Sequence, residues 1–417
     1  MSTASHGLQA HYADAWLIDG MRTPFVDYRG ALSAISPIDL GIKAARAVID
    51  KAGIDPADIG TTIAGSMAQA SFDAFMTPRH IGIYAGVPVD RPAHLVQRIC
   101  GTGIEVLMQA SDVVSLGRTE LALGVGAESM SRNPIAAYTH RNGFGMGQVE
   151  FKDFLWEALM DPAVLCNMGD TAENLARQYD ISREAVDRFA SQSFERAIAA
   201  RQSGFLAGEI TPVSTEQFAM EGFENRGIKL ARGVDSVTQD SHIRPSPYEV
   251  LAKLRPAFGG VQTGGNSSAI VDGAAAALVG SAQYIAARGL KPLARIIAGA
   301  AVGVPPHIMG IGPAPAIRAV LDAAGLSLDQ IGRVEINEAF GAQILACVAE
   351  LGLDQAKLNV NGGAIAIGHP LGATGVRITL TLARELQRSG LRYGIASACI
   401  GGGQGIALLL ENPEAIP

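Results

Sequence analysis

The sequence predicts an α/β fold of two similar halves, with helices covering mostly parallel sheets and a helical segment inserted between the halves. Three observations support this fold class. A segment at residues 46–60 recurs at 318–332, strands alternate with helices in both halves, and the alternation stops over residues 132–255. The chain of 417 residues is long enough for two or three domain-sized units.

The internal repeat is the strongest of these observations. Its two copies, RAVIDKAGIDPADIG at 46–60 and RAVLDAAGLSLDQIG at 318–332, align without gaps and are identical at eight of fifteen positions. Each copy indicates the end of an amphipathic helix, a glycine that stops it and a strand that follows, at 61–65 and 334–337. We therefore expect two copies of one α/β unit.

The remaining elements follow from apolar residues at helical spacing and from apolar runs bounded by glycine. In the first half the predicted elements are a strand at 15–19, a helix at 39–52, a helix at 104–116 and a strand at 121–126. In the second half they are a strand at 294–301, helices at 314–324, 341–351 and 376–388, and strands at 393–398 and 405–411.

These elements predict four segments along the chain. They are residues 1–131, the first part of the N-terminal half; 132–255, an inserted helical loop domain; 256–290, the last strands of the N-terminal half; and 291–417, the C-terminal half. The middle segment is too long for a connection and carries the charged helix formers of residues 170–203.

Charge and composition exclude several classes of function. The net charge of −7 and a pI near 5.7 argue against nucleic acid or an anionic membrane as partner. The four scattered cysteines form neither a disulfide scaffold nor a zinc motif. Residues 1–15 lack the pattern of a secretory or mitochondrial signal. These features predict a cytoplasmic protein without a metal site.

The glycine-rich stretch at 361–375, NGGAIAIGHPLGATG, contains a single histidine, His369. Pro370 disfavours helical backbone at His369, so a loop is expected, followed by the helix at 376–388. Glycines allow backbone to approach a ligand closely. A lone histidine on such a loop is structural unless it has chemical partners elsewhere in the chain.

Two cysteines are candidates for such partners. Cys100, in QRICGTG, precedes a helix, where amide dipoles shift a thiol toward thiolate; the alternative is a small core residue. Cys399 ends a strand ahead of the glycine turn at 401–405, a common place for active sites in α/β proteins. Cys347 is predicted to be a core residue and Cys166 a structural one.

Asn337 is a further candidate, in the segment NEAF between a predicted strand and a helix. Its amide suits a site that holds a water molecule or an oxyanion. Helix capping is the alternative explanation.

Taken together, these segments resemble the active-site blocks of thiolases in order and spacing. They are the Cys-Gly-Thr-Gly of 100–103, the NEAF of 337–340, the Gly-His-Pro segment of 362–375 and the glycine turn after Cys399. The segments GVGAESMS at 124–131 and MGDTAENL at 168–175 resemble further thiolase segments. The resemblance implies a five-layer αβαβα arrangement of two duplicated halves, with an inserted helical loop domain.

The resemblance also implies a reaction and its residues. Cys100 would be the nucleophile, His369 its base and Cys399 a second acid and base. His369 and a water held by Asn337 would bind an enolate oxygen, and the amides of Cys100 and Gly401 would form the other oxyanion hole. Coenzyme A would be substrate and product, with no tightly bound cofactor.

Seven further residues fall where thiolases contact coenzyme A or the acyl group. They are Leu159, Met168, Arg244, Phe258, Ser268 and Phe340 for coenzyme A, and Met309 for the acyl pocket. Asn167 departs from the family, because many relatives specific for acetoacetyl-CoA have histidine there. The stretch between Arg244 and Phe258 is also one residue short.

The expected activity is that of an acetyl-CoA C-acetyltransferase, with a longer-chain 3-ketoacyl-CoA thiolase subunit of a fatty-acid oxidation complex as the alternative. A ketoacyl synthase or a cysteine hydrolase is disfavoured by Cys399, which those reactions do not need. Residues 138–161 resemble a loop that forms tetramers in short-chain thiolases, so a homo-oligomer, dimer or tetramer, is expected.

Overall fold

A computed structural model describes residues 7–69, 71–138 and 140–415. Within these ranges the strands are β1 (Gly7–His11), β2 (Trp16–Arg22), β3 (Val26–Asp27), β4 (Thr61–Gly65), β5 (Ala93–Val96), β6 (Leu121–Ser129), β7 (Ile135–Ala136), β8 (Lys152–Asp153), β9 (Met160–Asp161), β10 (Cys166–Asn167), β11 (Val213–Ser214), β12 (Glu216–Phe218), β13 (Arg226–Ile228), β14 (Ser236–Val237), β15 (Val271–Gly280), β16 (Ala294–Gly303), β17 (Ile331–Ile336), β18 (Tyr393–Ile400) and β19 (Gln404–Glu411). The prediction about a targeting signal falls partly on residues 1–6, outside the described ranges.

Helices cover both faces of the large sheet that eleven of these strands form. They are α1 (Pro37–Ala52), α2 (Thr77–Tyr84), α3 (Thr102–Ser115), α4 (Phe154–Ala158), α5 (Met168–Gln178), α6 (Arg183–Gln202), α7 (Tyr248–Leu251), α8 (Ala282–Arg288), α9 (Pro313–Ala324), α10 (Gly341–Leu351), α11 (Ala364–Ile367) and α12 (Leu371–Ser389). Among the described helices, none combines the length and apolar character needed to cross a membrane.

Eleven strands of the described chain form one sheet that joins the two halves. Its path is β17-β18-β19-β16-β2-β15-β6-β4-β5, with β1 beside β16 and β3 beside β15. The halves meet where β16 pairs with β2, and this pairing covers only Ala294 with Leu17 and Arg295 with Trp16. The sheet therefore consists of two duplicated units that are joined by a short pairing between β16 and β2.

The prediction of mostly parallel sheets is wrong. In the described part of this sheet only β4–β5, β4–β6 and β17–β18 pair in parallel. The pairs β15–β6 and β16–β19 are antiparallel, as is β18–β19. The turn between β18 and β19 spans only residues 401–403, and so short a connection permits antiparallel pairing alone.

The layers alternate as the resemblance implied, which confirms the predicted fold class. Helices α3 and α12 pack against each other, and both contact strands of the two halves: α3 contacts β6 and β19, and α12 contacts β6 and β18. Helix α1 covers β15 and β2 on one outer face, and α9 covers β16 and β19 on the other. The paired helices α3 and α12 thus form the central layer.

The sequence repeat produces the same local structure twice. Helix α1 ends at Gly53 with φ 62°, and α9 ends at Gly325 with φ 65°. Each glycine caps its helix in the left-handed conformation, and each is followed by a short 3₁₀ turn and a strand, β4 or β17. The duplication predicted from the sequence is therefore present in the structure.

The segment between the halves is mixed in structure, whereas a helical domain was expected. It contains α5 and α6, where charged helix formers predicted helices, together with four small two-stranded sheets. These small sheets pair β7 with β8, β9 with β10, β11 with β14, and β12 with β13. Residues 256–290, expected to supply the last strands of the first half, contain one strand, β15, which is followed by α8.

The loop predicted at 361–375 is also partly helical. A helical turn, α11, precedes His369, and α12 begins at Leu371, five residues before the predicted start. Pro370 occupies the N-cap position of α12, where a residue without a free N–H is tolerated. His369 lies between the two helices, so its ring is held by helical segments on both sides.

Helices α3 and α12 approach each other through backbone atoms. A Cβ on Gly103 would lie 2.6 Å from the Val376 nitrogen, and a Cβ on Gly375 would lie 2.2 Å from the Ile104 nitrogen. Because backbone cannot move aside as a side chain can, glycine is required at both positions. This contact brings together the two helix starts that follow Cys100 and His369.

Replacing Gly103 with alanine should destabilise the fold by about 3 kcal/mol, because the added methyl overlaps the backbone of α12. Calorimetry should show a clearly lower melting temperature. Gly208→Ala is the matched control, since a Cβ there would meet no atom within 4 Å. An unchanged melting temperature for Gly103→Ala would contradict the close contact.

Candidate active site

Cys100 lies on a short 3₁₀ turn, Ile99–Gly101, immediately before α3. The preceding Ile99 has φ 46°, an uncommon conformation for a β-branched residue that often marks a functional site. Thr102 holds the turn, because its hydroxyl donates to the Ile99 carbonyl at 2.7 Å and accepts from the Arg98 amide at 2.9 Å. The thiol is 6% exposed.

The His369 ring is hydrogen-bonded through both nitrogens. The Asn337 Nδ2–H donates to Nε2 at 3.2 Å, and Nδ1 lies 2.6 Å from the Thr374 hydroxyl oxygen. The His369 amide donates to the Ala269 carbonyl at 3.0 Å. Ring and backbone are therefore both constrained, and the ring is only 5% exposed.

Cys399 lies near the end of β18 and is completely buried. It packs in a small cluster with Met309 and Ala339. Burial raises the pKa of the Cys399 thiol well above its usual value, and the neighbouring Cys100 raises it further. The Cys100 thiol is therefore near enough to affect the ionisation of Cys399.

The turn after Cys399 brings Gly401 to Cys100. The Gly401 amide hydrogen-bonds to the Cys100 thiol and favours its ionised form. A Cβ on Gly401 would meet the Met168 sulfur at 3.4 Å, which is ordinary contact. Gly402 and Gly403 both have positive φ, 80° and 87°, and a Cβ on Gly403 would also lie 2.2 Å from the Val304 carbonyl oxygen.

Burial keeps both Cys100 and His369 uncharged. It raises the pKa of Cys100 to about 11, although the amides of Gly401 and Cys100 oppose the shift. Burial lowers the pKa of His369 to about 3, and the positive charge of Arg377 adds to this effect. The sequence had suggested a thiolate stabilised by the helix; desolvation outweighs the amide dipoles here.

A buried carboxylate that the sequence analysis did not single out, Glu128, ties two sides of the site together. It accepts hydrogen bonds from the amides of Met67 at 2.8 Å, Ala68 at 3.2 Å and Gly372 at 3.0 Å. The loop beside Cys100 is thereby joined to the first turn of α12. Glu128 lies in the segment 124–131 that resembles a thiolase segment, but its role could not be predicted, because its partners are backbone amides distant in the chain.

A mainly apolar cavity of about 250 Å³ opens onto Cys100 and His369. Six of the seven residues predicted to contact coenzyme A or the acyl group line it: Leu159, Met168, Phe258, Ser268, Met309 and Phe340. Their assigned roles remain predictions, but they surround one space beside Cys100.

Arg244, the seventh predicted contact, is not part of the cavity wall. Its side chain is exposed, with Nη1 3.1 Å from His242 Nδ1 and the guanidinium 5.8 Å from the centre of the Phe194 ring. A contact between Arg244 and the nucleotide of coenzyme A stays a prediction.

Several residues of the cavity wall were not assigned a role from the sequence. They are Met130, Trp156, Ile270 and Leu371. Asn167, noted as a departure, also lines the cavity, and its side chain caps α5 by accepting from the Asp170 amide at 3.0 Å. The Asn-x-x-Asp spacing is a capping signal that the sequence contains.

In the described residues, no group of three or more His, Cys, Asp or Glu side chains is arranged to hold a metal ion. The four cysteines are free thiols. Cys347 is fully buried in α10, as predicted for a core residue.

Comparison with known proteins decides the family. Models of the thiolase N-terminal domain and the thiolase C-terminal domain match residues 15–283 and 290–412. The chain belongs to the thiolase family. It is accordingly an acyltransferase, as the resemblance of its four active-site segments implied.

The relatives of this thiolase differ in name. The human "3-ketoacyl-CoA thiolase, mitochondrial" is 40% identical over 401 residues, which cover 95% of this chain and 98% of the relative. The "Acetyl-CoA acetyltransferase" of Paracoccus denitrificans is 41% identical over 407 residues, covering 96% and 99%. A crystal structure of the human mitochondrial enzyme in complex with CoA superposes with a TM-score of 0.89 at 39% identity, covering 96% and 98%.

The prediction of a cytoplasmic location is wrong by this comparison. Relatives 40% identical to the chain, from human and cattle among others, are named as mitochondrial proteins. The prediction rested on scattered cysteines and the composition of the first residues. A reducing environment, which the free thiols fit, does not distinguish between compartments.

Alkylation of Cys100 by iodoacetamide should increase with pH into the alkaline range, because the thiolate is the nucleophile and burial raises the pKa of Cys100 to about 11. Below that pKa the rate should fall about tenfold for each pH unit. Peptide mass mapping of Cys100 gives the profile, with free cysteine as reference. A rate that is already constant at about pH 7 would instead indicate a thiolate–imidazolium pair.

Proposed function

We propose that this thiolase joins two acyl-CoA molecules into a 3-oxoacyl-CoA and CoA, and catalyses the reverse thiolysis, through an acyl group on Cys100. The activity that we propose first is that of an acetyl-CoA C-acetyltransferase. The observation that carries it is that Cys100 and a neutral His369, bonded to Asn337, face one apolar cavity, while a second thiol, Cys399, packs against Met309 and Ala339 of the cavity wall.

In the first half-reaction, Cys100 Sγ attacks the thioester carbonyl while His369 Nε2 takes the thiol proton. Both groups start neutral, so the proton moves as the S–C bond forms and no isolated buried charge arises first. The amides of Cys100 and Gly401 suit the oxyanion of the tetrahedral intermediate. The C–S bond to CoA then breaks, and His369 returns the proton to the departing sulfur.

In the second half-reaction, Cys399 acts as the base: its thiolate, a minor form because burial raises the pKa of the thiol, takes a proton from the carbon next to the carbonyl of a second thioester. The enolate carbon attacks the acyl group, the bond to Cys100 breaks, and the proton on Cys399 passes to Cys100, which restores the Cys100 thiol and the Cys399 thiolate. Asn337 and His369 would hold the enolate oxygen.

Coenzyme A is proposed as substrate and product, without a tightly bound cofactor. The cavity wall suits the pantetheine arm, because Met168, Met309 and the edge-on pair Phe258 and Phe340 present flexible or flat apolar surface. The relative whose crystal structure contains CoA supports this proposal.

A homo-oligomer, dimer or tetramer, is proposed as well. Large apolar side chains that are more than half exposed include Phe72, Phe75, Met146 and Phe151. Exposed apolar surface of this kind is typical of interfaces between proteins. The alternative is that this surface binds a partner subunit for fatty-acid oxidation. Native mass spectrometry of the purified protein distinguishes a homo-oligomer from a complex with another subunit.

A longer-chain 3-ketoacyl-CoA thiolase is the second candidate function. The observation in its favour is the apolar wall beside Cys100, where Met130, Trp156, Ile270 and Leu371 could contact an extended acyl chain. A capped Asn167, where acetoacetyl-specific relatives have histidine, points the same way.

Incubation with acetyl-CoA should add one acetyl group to Cys100, detected by intact mass and peptide mapping. Cys399→Ala should keep this adduct and lose condensation and thiolysis, since only the second half-reaction needs that thiol. Cys347→Ala is the matched control, because Cys347 is an equally buried thiol in α10 with no proposed role in the reaction. An adduct on another residue, or turnover by Cys399→Ala, would refute these roles.

A thiolysis series with 3-oxoacyl-CoA esters of increasing length separates the two candidate functions. For an acetyl-CoA C-acetyltransferase we expect the rate to collapse beyond four carbons by about a hundredfold, the scale that a few misfitting methylenes produce. A rate that stays level with chain length would establish the longer-chain alternative and contradict the proposed acetyl-CoA C-acetyltransferase activity.

A further inference from the structure

Thr374 contacts His369 on the side of the ring away from Asn337. Its hydroxyl oxygen lies 2.6 Å from Nδ1, and the hydroxyl donates to the Pro370 carbonyl at 3.3 Å. Thr374 is completely buried in the first turn of α12 and is not part of the cavity wall. It therefore touches the proposed base without facing the substrate.

The hydrogen bonds select one form of the neutral ring. Asn337 Nδ2 is a donor only, so the Nε2 atom that it contacts carries the lone pair. The proton of a neutral imidazole then lies on Nδ1 and is donated to the Thr374 oxygen, whose own proton goes to Pro370. All three bonds are satisfied at once, and the basic nitrogen is Nε2.

We propose that Thr374 is a positioning residue for His369: its hydroxyl holds the ring in place and keeps the lone pair on Nε2, the nitrogen that takes the Cys100 proton. This inference rests on the proposed function, in which His369 Nε2 is the base. It adds a residue that works through His369 and never touches the substrate.

A hydroxyl serves this position better than a carbonyl or a carboxylate would. Holding an enolate oxygen requires a proton on Nε2, and the ring then needs a donor at Nδ1. The Thr374 hydroxyl can rotate to donate there. On the other side of the ring, the Asn337 Oδ1 atom is buried and has no hydrogen-bond partner among the described residues. After rotation of the side-chain amide, this oxygen could accept a hydrogen bond from Nε2–H. The Thr374 hydroxyl can therefore stay bonded to Nδ1 when Nε2 gains a proton, whereas in the resting arrangement the two neighbours place the lone pair on Nε2.

The test compares three variants in acylation by acetyl-CoA under single-turnover conditions. Thr374→Val keeps the shape and loses the hydroxyl, so acylation should slow by about tenfold to a hundredfold with little change in KM. Thr374→Ser should restore the rate to within about threefold. Thr379→Val is the matched control, because Thr379 is equally buried on α12 and donates to the Gly375 carbonyl at 2.8 Å without touching His369.

A second readout separates positioning from general packing. The ¹⁵N spectrum of histidine-labelled protein, with the His369 signals assigned from His369→Gln, should show Nδ1 protonated in the wild type and a shift toward the Nε2–H form in Thr374→Val. Unchanged acylation together with unchanged His369 signals would overturn the proposal. The spectrum needs no substrate, so it tests Thr374 even if Cys100 proves not to be acylated.

Discussion

The active site depends on the backbone contact between α3 and α12. Cys100 immediately precedes one helix and His369 the other, so the separation of the helix starts sets the separation of the two reactive groups. Gly103 and Gly375 allow these starts to touch without any intervening side chain. Because α3 and α12 belong to different halves of a duplicated fold, this contact also joins the halves where the chemistry takes place.

The central position of α3 and α12 in the fold also buries Cys100 and His369. The layer formed by α3 and α12 is enclosed by sheet on both sides, so the groups at its end lose their hydration. The pKa of Cys100 rises and that of His369 falls, and both groups are neutral until a reaction moves a proton between them. A neutral pair suits repeated acyl transfer, since no stable ion pair must be separated in each cycle.

Fixed geometry around the neutral pair comes from groups that do not react. Glu128 joins the loop beside Cys100 to the start of α12 through backbone amides, and Asn337 and Thr374 hold the two nitrogens of His369. These partners lie far apart in the chain or one helical turn away from the ring. The hydrogen bonds of Glu128, Asn337 and Thr374 therefore form a rigid frame around the residues proposed to exchange protons.

The sequence alone determined the duplicated α/β architecture and the helix stops at Gly53 and Gly325, and it singled out Cys100 and His369 as the proposed reactive groups. Such features are local, because a capping glycine or a Gly-His-Pro segment acts within a few residues. The direction of the strands was predicted wrongly, because strands that pair, such as β6 and β15, are separated in the chain by the whole inserted segment. Only the tertiary structure decided that both reactive groups are neutral, that Thr374 and Glu128 support them, and that Arg244 lies outside the cavity wall. Burial and hydrogen bonding depend on residues distant in sequence, and no local pattern encodes them.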